Sequence, residues 1–204
     1  MLGDAFEEYP LVHEHPGWSE HEPAQYWDVA CRLIQQVLSA GNVEGNDIRG
    51  IAVSSALPSL VMVDAEGVPI HRAYNLMDRR ATDIVTWLKE TVGEARIFQL
   101  SGYRLEDHPA LVNLLWEKQH RSESYNRIDK VLTIDGYITL RLTGRATVHN
   151  SGGAFFGVAY DLRKREFDYG MLDAIDIDPE ILPDVYQCTD IVGEVTGVAA
   201  EATG

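Results

Sequence analysis

The chain has 204 residues, 45% of them hydrophobic and 24% charged, which supports a globular core and excludes wholesale disorder. Thirty-two acids against seventeen bases leave a formal charge of −15, and so negative a surface repels nucleic-acid phosphates and anionic lipid. Cys31 and Cys188 read as neither a disulfide framework nor a metal site, and no apolar run reaches transmembrane length. The acidic stretch Met1–Pro10 is unlike a signal peptide, so the expectation is a soluble, cytoplasmic protein.

Residues 3–12 alternate weakly and predict one short strand. A loop rich in His, Pro and Gly follows, and Pro23 suits the first turn of a helix. Tyr26, Ala30, Leu33 and Val37 recur at helical spacing beside Trp27, Ile34 and Leu38, and Gly41 closes that helix. Ile48–Ser54 and Leu60–Asp64 are apolar runs of strand length, and Ala65-Glu66-Gly67 turns the second into Val68–Asn75 as a hairpin. Helices are predicted over 80–92, with Ile84, Val85 and Leu88 inward, and after Pro109, with Leu111, Leu114 and Leu115 on one face. Lys130–Ile134 reads as a strand, Gly136–Leu142 as a short helix stopped by Gly144, and Ile191–Thr196 as a late strand. Val198–Thr203 starts a helix that barely completes a turn, and the chain reads as cut from something longer at both ends. Strands alternating with helices make the fold class α/β.

The common chemical signatures are missing. There is no Walker phosphate loop, no dinucleotide-binding glycine triplet and no nucleophile elbow, and Ser151-Gly152-Gly153 reads as a turn. His13-x-His15, near His21 and Glu22, lies in a Pro-rich loop with no rigid element to fix a metal's geometry, so no metal is assigned. Asp78-Arg79-Arg80 is more informative. It follows a predicted strand and opens a helix, where open α/β sheets place ligand contacts. A carboxylate and a guanidinium there accept from and donate to polyol hydroxyls, although Asp78 is equally suited to capping the helix.

The segment Trp18-Ser19-Glu20-His21-Glu22-Pro23-Ala24-Gln25-Tyr26-Trp27 resembles the pattern that opens the first long helix of FGGY carbohydrate kinases, the group that includes xylulokinase and glycerol kinase. Ile48–Ser55 is similar to that family's next strand and Val61–Ile70 to its following hairpin. Asn75–Arg80 is similar to its Trp-x-Asp-x-Arg segment, with Asp78 and Arg80 in register. Ile128–Leu132, Leu140–Gly144, Ile181–Pro183 and Val192–Thr196 continue the resemblance in order.

The resemblance implies an actin-like, ribonuclease H-like domain of mixed sheet and flanking helices. It also implies that residues 1–204 are part of an amino-terminal sugar-binding domain, without its first hairpin and without the ATP-binding carboxy-terminal domain. Residues 3–12 then match a third strand with nothing to pair with, which leaves Ile48–Ser54 an open edge and favours self-association. The parent transfers phosphate from ATP, with Mg²⁺, to a ketose or polyol hydroxyl. Asp78 and Arg80 are then sugar contacts, with backbone near Leu57 and Pro58, and no residue of this stretch is the catalytic base.

The sequence departs from the family at Ser55-Ala56-Leu57-Pro58-Ser59, which stands where xylulokinases read Gly-Gln-Met-His-Gly; Pro58 cannot supply a histidine's hydrogen bond. Val148-His149-Asn150-Ser151 stands where the family often has Thr-Asp before a serine, and the family's tryptophan falls on Leu76 or Tyr74. A non-catalytic sugar-binding or regulatory module on the same scaffold is the alternative, followed by an unrelated α/β protein that acts through protein–protein contact.

Overall fold

A computed structural model describes residues 3–204; Met1 and Leu2, the start of the acidic leader, lie outside them. The predicted first strand is not formed. Residues 3–11 are irregular, and only Val12 makes a ladder bridge, to Glu20. Glu7 instead pairs with Arg32 and the Tyr9 ring packs edge-on against Tyr26, so the segment lies along a helix rather than in a sheet.

β1 (Glu20–His21) leads into α1 (Pro23–Gly41), which has Pro at its start. Gly41 is the last helical residue. The left-handed cap that ends the helix is Asn42, at φ 50°, whose N–H reaches the Ser39 carbonyl at 3.2 Å. Ile48–Ser54, predicted as a strand, has no ladder partner and stays irregular, because a strand's backbone groups need a neighbour to pair with. β2 (Val61–Val63) and β3 (Ala73–Tyr74) form the predicted hairpin in shortened form. Asp64–Val68, Met62–Ile70 and Leu60–Tyr74 share backbone bonds, and residues 71–72 bulge between the last two rungs.

Helices α2 (Thr82–Thr91), α3 (Glu94–Ser101), α4 (Ala110–His120) and α5 (Ser122–Tyr125) follow, then β4 (Lys130–Leu132) and α6 (Ile134–Thr143). Thr133 caps α6 by accepting from the Gly136 N–H, and Gly144, at φ 74°, ends it as expected. β5 (Thr147–His149) runs into a single turn of helix, α7 (Asn150–Gly153), where a plain turn is predicted. Glycine is required there. A Cβ on Gly153 would lie 2.4 Å from the Tyr160 ring, and one on Gly152 would lie 2.9 Å from the His149 ring.

The chain finishes with β6 (Tyr160–Asp161), β7 (Glu166–Phe167), α8 (Tyr169–Ala174), β8 (Asp184–Tyr186) and α9 (Gly197–Thr203). The late strand is therefore at Asp184–Tyr186, in parallel register with β5. The predicted Ile191–Thr196 is irregular, with Ile191 89% exposed and no strand beside it.

The order β1–β3–β2–β4 makes a short antiparallel sheet. Its alternation separates two cores. Leu60, Met62 and Val131 point to one face, with Ile84, Leu88, Leu111 and Leu115 from α2 and α4. Val61, Val63 and Leu132 point to the other, with Tyr26, Trp27, Tyr137 and Ala199 from α1, α6 and α9. Burial on both faces explains why β2 reads as a continuous apolar run. Each such large side chain taken out of water contributes about 1.5–3 kcal/mol. Helices on both faces of a sheet give the expected α/β layering.

Candidate functional site

Antiparallel pairing fixes which loops share an edge. Val61 lies opposite Leu132 and Leu60 opposite Tyr74, so residues 55–59, 75–80 and 133–135 all emerge at one end of the sheet. Residues 17–19 join them, because Asn75 N–H donates to the Ser19 carbonyl and Arg79 N–H to that of Gly17.

Ser55–Ser59 is an arch pinned at both feet to the start of α6. Ser59 Oγ accepts from the Ile134 N–H at 3.1 Å. Ser55 Oγ accepts from the Asp135 N–H at 3.2 Å and donates to Asp135 Oδ1 at 2.7 Å. Those two N–H groups are among the unpaired donors of a helix's first turn, so the serines satisfy them. Between the feet, Leu57 is half-buried and Pro58 buried, with their peptide bond cis.

Asp78 and Arg80 sit at the strand end, as the sequence leads one to expect, but their polar groups face each other and the protein. Asp78 Oδ1 accepts from Arg80 N–H at 3.1 Å and Nε at 2.9 Å. Oδ2 accepts from Arg80 Nη2 and from the Ser19 N–H, at 2.7 and 2.8 Å. Arg80 Nη2 also reaches Glu20 at 2.7 Å, and the guanidinium lies 3.8 Å from the centre of the Trp18 ring and 3.7 Å from that of Tyr74. Both side chains are 0% exposed. Burial opposes the charge on Arg80, yet its bonds to Asp78 and Glu20 outweigh that and raise its pKa. Asp78 is not the helix cap; α2 starts after Ala81. The couple acts as a brace, and it leaves Leu76, Met77 and Arg79 exposed at the loop's surface. Tyr74 is wholly buried, so of the two positions aligned with the family's tryptophan only Leu76 faces solvent.

A second polar group lies beside this loop, on residues the sequence reading passed over. Arg79 Nη1 is 3.5 Å from Asp107 Oδ1, and the Tyr103 hydroxyl is 3.2 Å from His108 Nε2. His108 Nδ1 and the Oδ1 of buried Asn113 are enclosed with no hydrogen-bond partner. The available signal was Asn113 alone in the run Ala110–Trp116, since an amide in an apolar helix face needs a partner.

Two cavities, of about 500 and 380 Å³, lie elsewhere. The first is flanked by Lys118, Tyr125 and Tyr169 and the second by Asp64, Lys130 and Arg145. Among the described residues no three His, Cys, Asp or Glu side chains converge as metal ligands, and no glycine-rich phosphate loop is present. No helix among the described residues is long and apolar enough to cross a membrane.

The sheet and its flanking helical layers make an α/β domain of the actin-like, ribonuclease H-like class. The chain belongs to the FGGY family of carbohydrate kinases: residues 1–204 match the model of that family's N-terminal domain. A glycerol kinase of Cereibacter sphaeroides is 28% identical over 190 residues, covering 90% of this chain and 38% of the relative. A xylulose kinase of Staphylococcus xylosus is 27% identical over 198 residues, covering 95% and 40%. The solved xylulose kinase of Rhodospirillum rubrum superposes with a TM-score of 0.88 at 27% identity, over 96% of this chain and 40% of that one. The chain thus spans about two fifths of the length of the relatives it matches. Kinases of this family are ATP-dependent transferases.

Proposed function

We propose that these residues form the sugar-binding part of an ATP-dependent carbohydrate kinase that phosphorylates a ketose or polyol hydroxyl. The observation that carries the reading is the Ser55–Ser59 arch, fixed at both feet and set beside the 75–80 loop at one sheet edge. Ligands of open α/β sheets bind at such edges. The named substrates of the relatives, glycerol and xylulose, share a primary hydroxyl beside a secondary one, and Arg79, Asp107 and His108 offer donors and acceptors suited to such vicinal hydroxyls.

In this reading Asp78 and Arg80 serve the sugar by holding the 76–79 surface in place, while backbone near Leu57 and Pro58 closes one side of it. The catalytic base, the nucleotide and Mg²⁺ belong to a part of the kinase outside these residues, so the stretch alone turns over no ATP. The open form of the edge agrees with a cleft that a second domain completes. Loss of the xylulokinase histidine at Pro58 also favours a second reading, a sugar-binding or regulatory module without catalysis.

Chemical-shift titrations with glycerol, erythritol, pentuloses and hexuloses test the site. At least one sugar is expected to move the signals of Leu57, Met77 and His108. Leu76→Trp, which restores an aromatic platform at the family's position, is expected to tighten that binding several-fold, in line with about 0.5–1.5 kcal/mol for an aromatic contact. If no sugar moves those signals in either protein, the reading is wrong.

A further inference from the structure

A chain of side chains that the sugar-site reading leaves unused runs across the ends of β5 and β8. Asp135, held by Ser55, is 7% exposed and places Oδ2 3.3 Å from His149 Nε2. On the other side of the ring, His149 Nδ1 accepts from the Gly152 N–H at 2.9 Å. A backbone N–H can only donate, so Nδ1 carries the lone pair and the neutral ring keeps its proton on Nε2, toward Asp135. The same Nδ1 faces Ser151 Oγ at 2.9 Å and Cys188 Sγ at 3.7 Å, and Ser151 Oγ lies 3.4 Å from that sulfur. Cys188 is exposed, and its thiol also reaches Asn150 Oδ1 at 3.2 Å.

A nucleophile, a base whose lone pair is shared between the Gly152 N–H and the thiol, and a carboxylate on the far side of the base form an arrangement that can activate a thiol. We propose that Cys188 is a selectively reactive thiol and a modification site for small disulfides, with His149 taking its proton and Asp135 orienting His149. In the exchange, the Sγ proton passes to Nδ1, directly or through Ser151 Oγ, and Sγ attacks one sulfur of R–S–S–R. The S–S bond of the disulfide breaks, its other sulfur leaves as R–S⁻ and takes the proton from the imidazolium, so Cys188–SH and RSSR become Cys188–S–S–R and RSH. Protonating Nδ1 deprives the Gly152 N–H of its acceptor, which limits the gain to a moderate one.

The alternatives fit less well. Acyl transfer needs free donors for an oxyanion, and the nearby Gly152 N–H is already committed to His149. Among the described residues no three ligands converge for a metal.

Cys31 provides an internal reference. It is half-buried on α1, where burial first, and Asp28 second, push its thiol pKa up.

The test is reaction of the folded protein with a coloured aromatic disulfide, with the modified cysteine identified by peptide mass. Cys188 is expected to react about tenfold or more faster than Cys31, and about tenfold faster than the same cysteine in urea-unfolded protein. Cys188→Ser should remove the fast phase and Cys31→Ser should keep it. His149→Gln should slow it about tenfold and change the shape of its pH–rate profile, the scale of losing a general base. Equal rates for Cys188 in folded and unfolded protein overturn the proposal without any substitution at the site. So does a folded His149→Gln variant with unchanged rate and profile.

Discussion

Arg80 and Asp78 meet through two parallel charge-assisted bonds, Nε to Oδ1 at 2.9 Å and Nη2 to Oδ2 at 2.7 Å, and neither side chain reaches solvent. A forked guanidinium stacked between Trp18 and Tyr74 has no substitute in lysine, which lacks both the fork and the flat face. Asp78→Ala removes the forked partner of a buried cation and leaves it only Glu20, and should cost up to about 3–5 kcal/mol of stability. Arg80→Lys should also destabilise, while Asp78→Ala combined with Arg80→Lys should cost less than the sum of the two single changes. Denaturant melts of the four proteins decide it. Single variants that melt like the parent would show that the couple is not a brace.

A second buried pair makes stability depend on pH. The Tyr74 hydroxyl donates to Glu117 Oε2 at 2.5 Å, and His71 Nε2 lies 2.8 Å from Oε1. Burial works to raise the Glu117 pKa, but bonds from His71 and Tyr74 and the charge of Arg121 outweigh it and hold it below the usual value. A lowered carboxylate pKa gives stability that is present above about pH 4.5 and lost as pH falls through the folded value. Tyr74 behaves oppositely. Burial, then the Glu117 charge, raise its pKa well above 10, so its contribution is present below that pH and lost as pH climbs beyond it. Glu117→Gln should cost about 1–3 kcal/mol at neutral pH and flatten the acid side of a stability profile. An acid limb as steep as the parent's would remove Glu117 from this role.

The parts legible in sequence were those with local causes. α1 and α6 show helical periodicity with Pro and Gly punctuation, and β2 and β4 are apolar runs buried on both faces. The parts misread depend on partners distant in sequence. Residues 3–12 and Ile48–Ser54 have strand composition but no neighbour to pair with, whereas Asp184–Tyr186 gains strand form from β5. The couple at 78 and 80 was locatable, but its burial was not, because Trp18, Ser19 and Glu20 cover it from about sixty residues away. The resemblance implies that this couple contacts a sugar. The family match over residues 1–204 shows that membership does not depend on it. His149 and Cys188 lie 39 positions apart, and only the parallel pairing of β5 with β8 brings them together.

The run Ile48–Ser54 carries no ladder bond, and Ile48 and Ile51 are 45% and 47% exposed. Apolar backbone without ladder partners recruits other strands. We propose that two copies of this stretch meet along it, each covering the other's Ile51. Burying one such side chain contributes about 1.5–3 kcal/mol, so Ile51→Lys should weaken association about tenfold or more. Sedimentation across a concentration series measures the effect. The lysine sits on an irregular, exposed segment with no core contact to lose, so its melt should match the parent's. A parent that stays monomeric at every concentration, with a single sharp melt, excludes this edge as a docking strand.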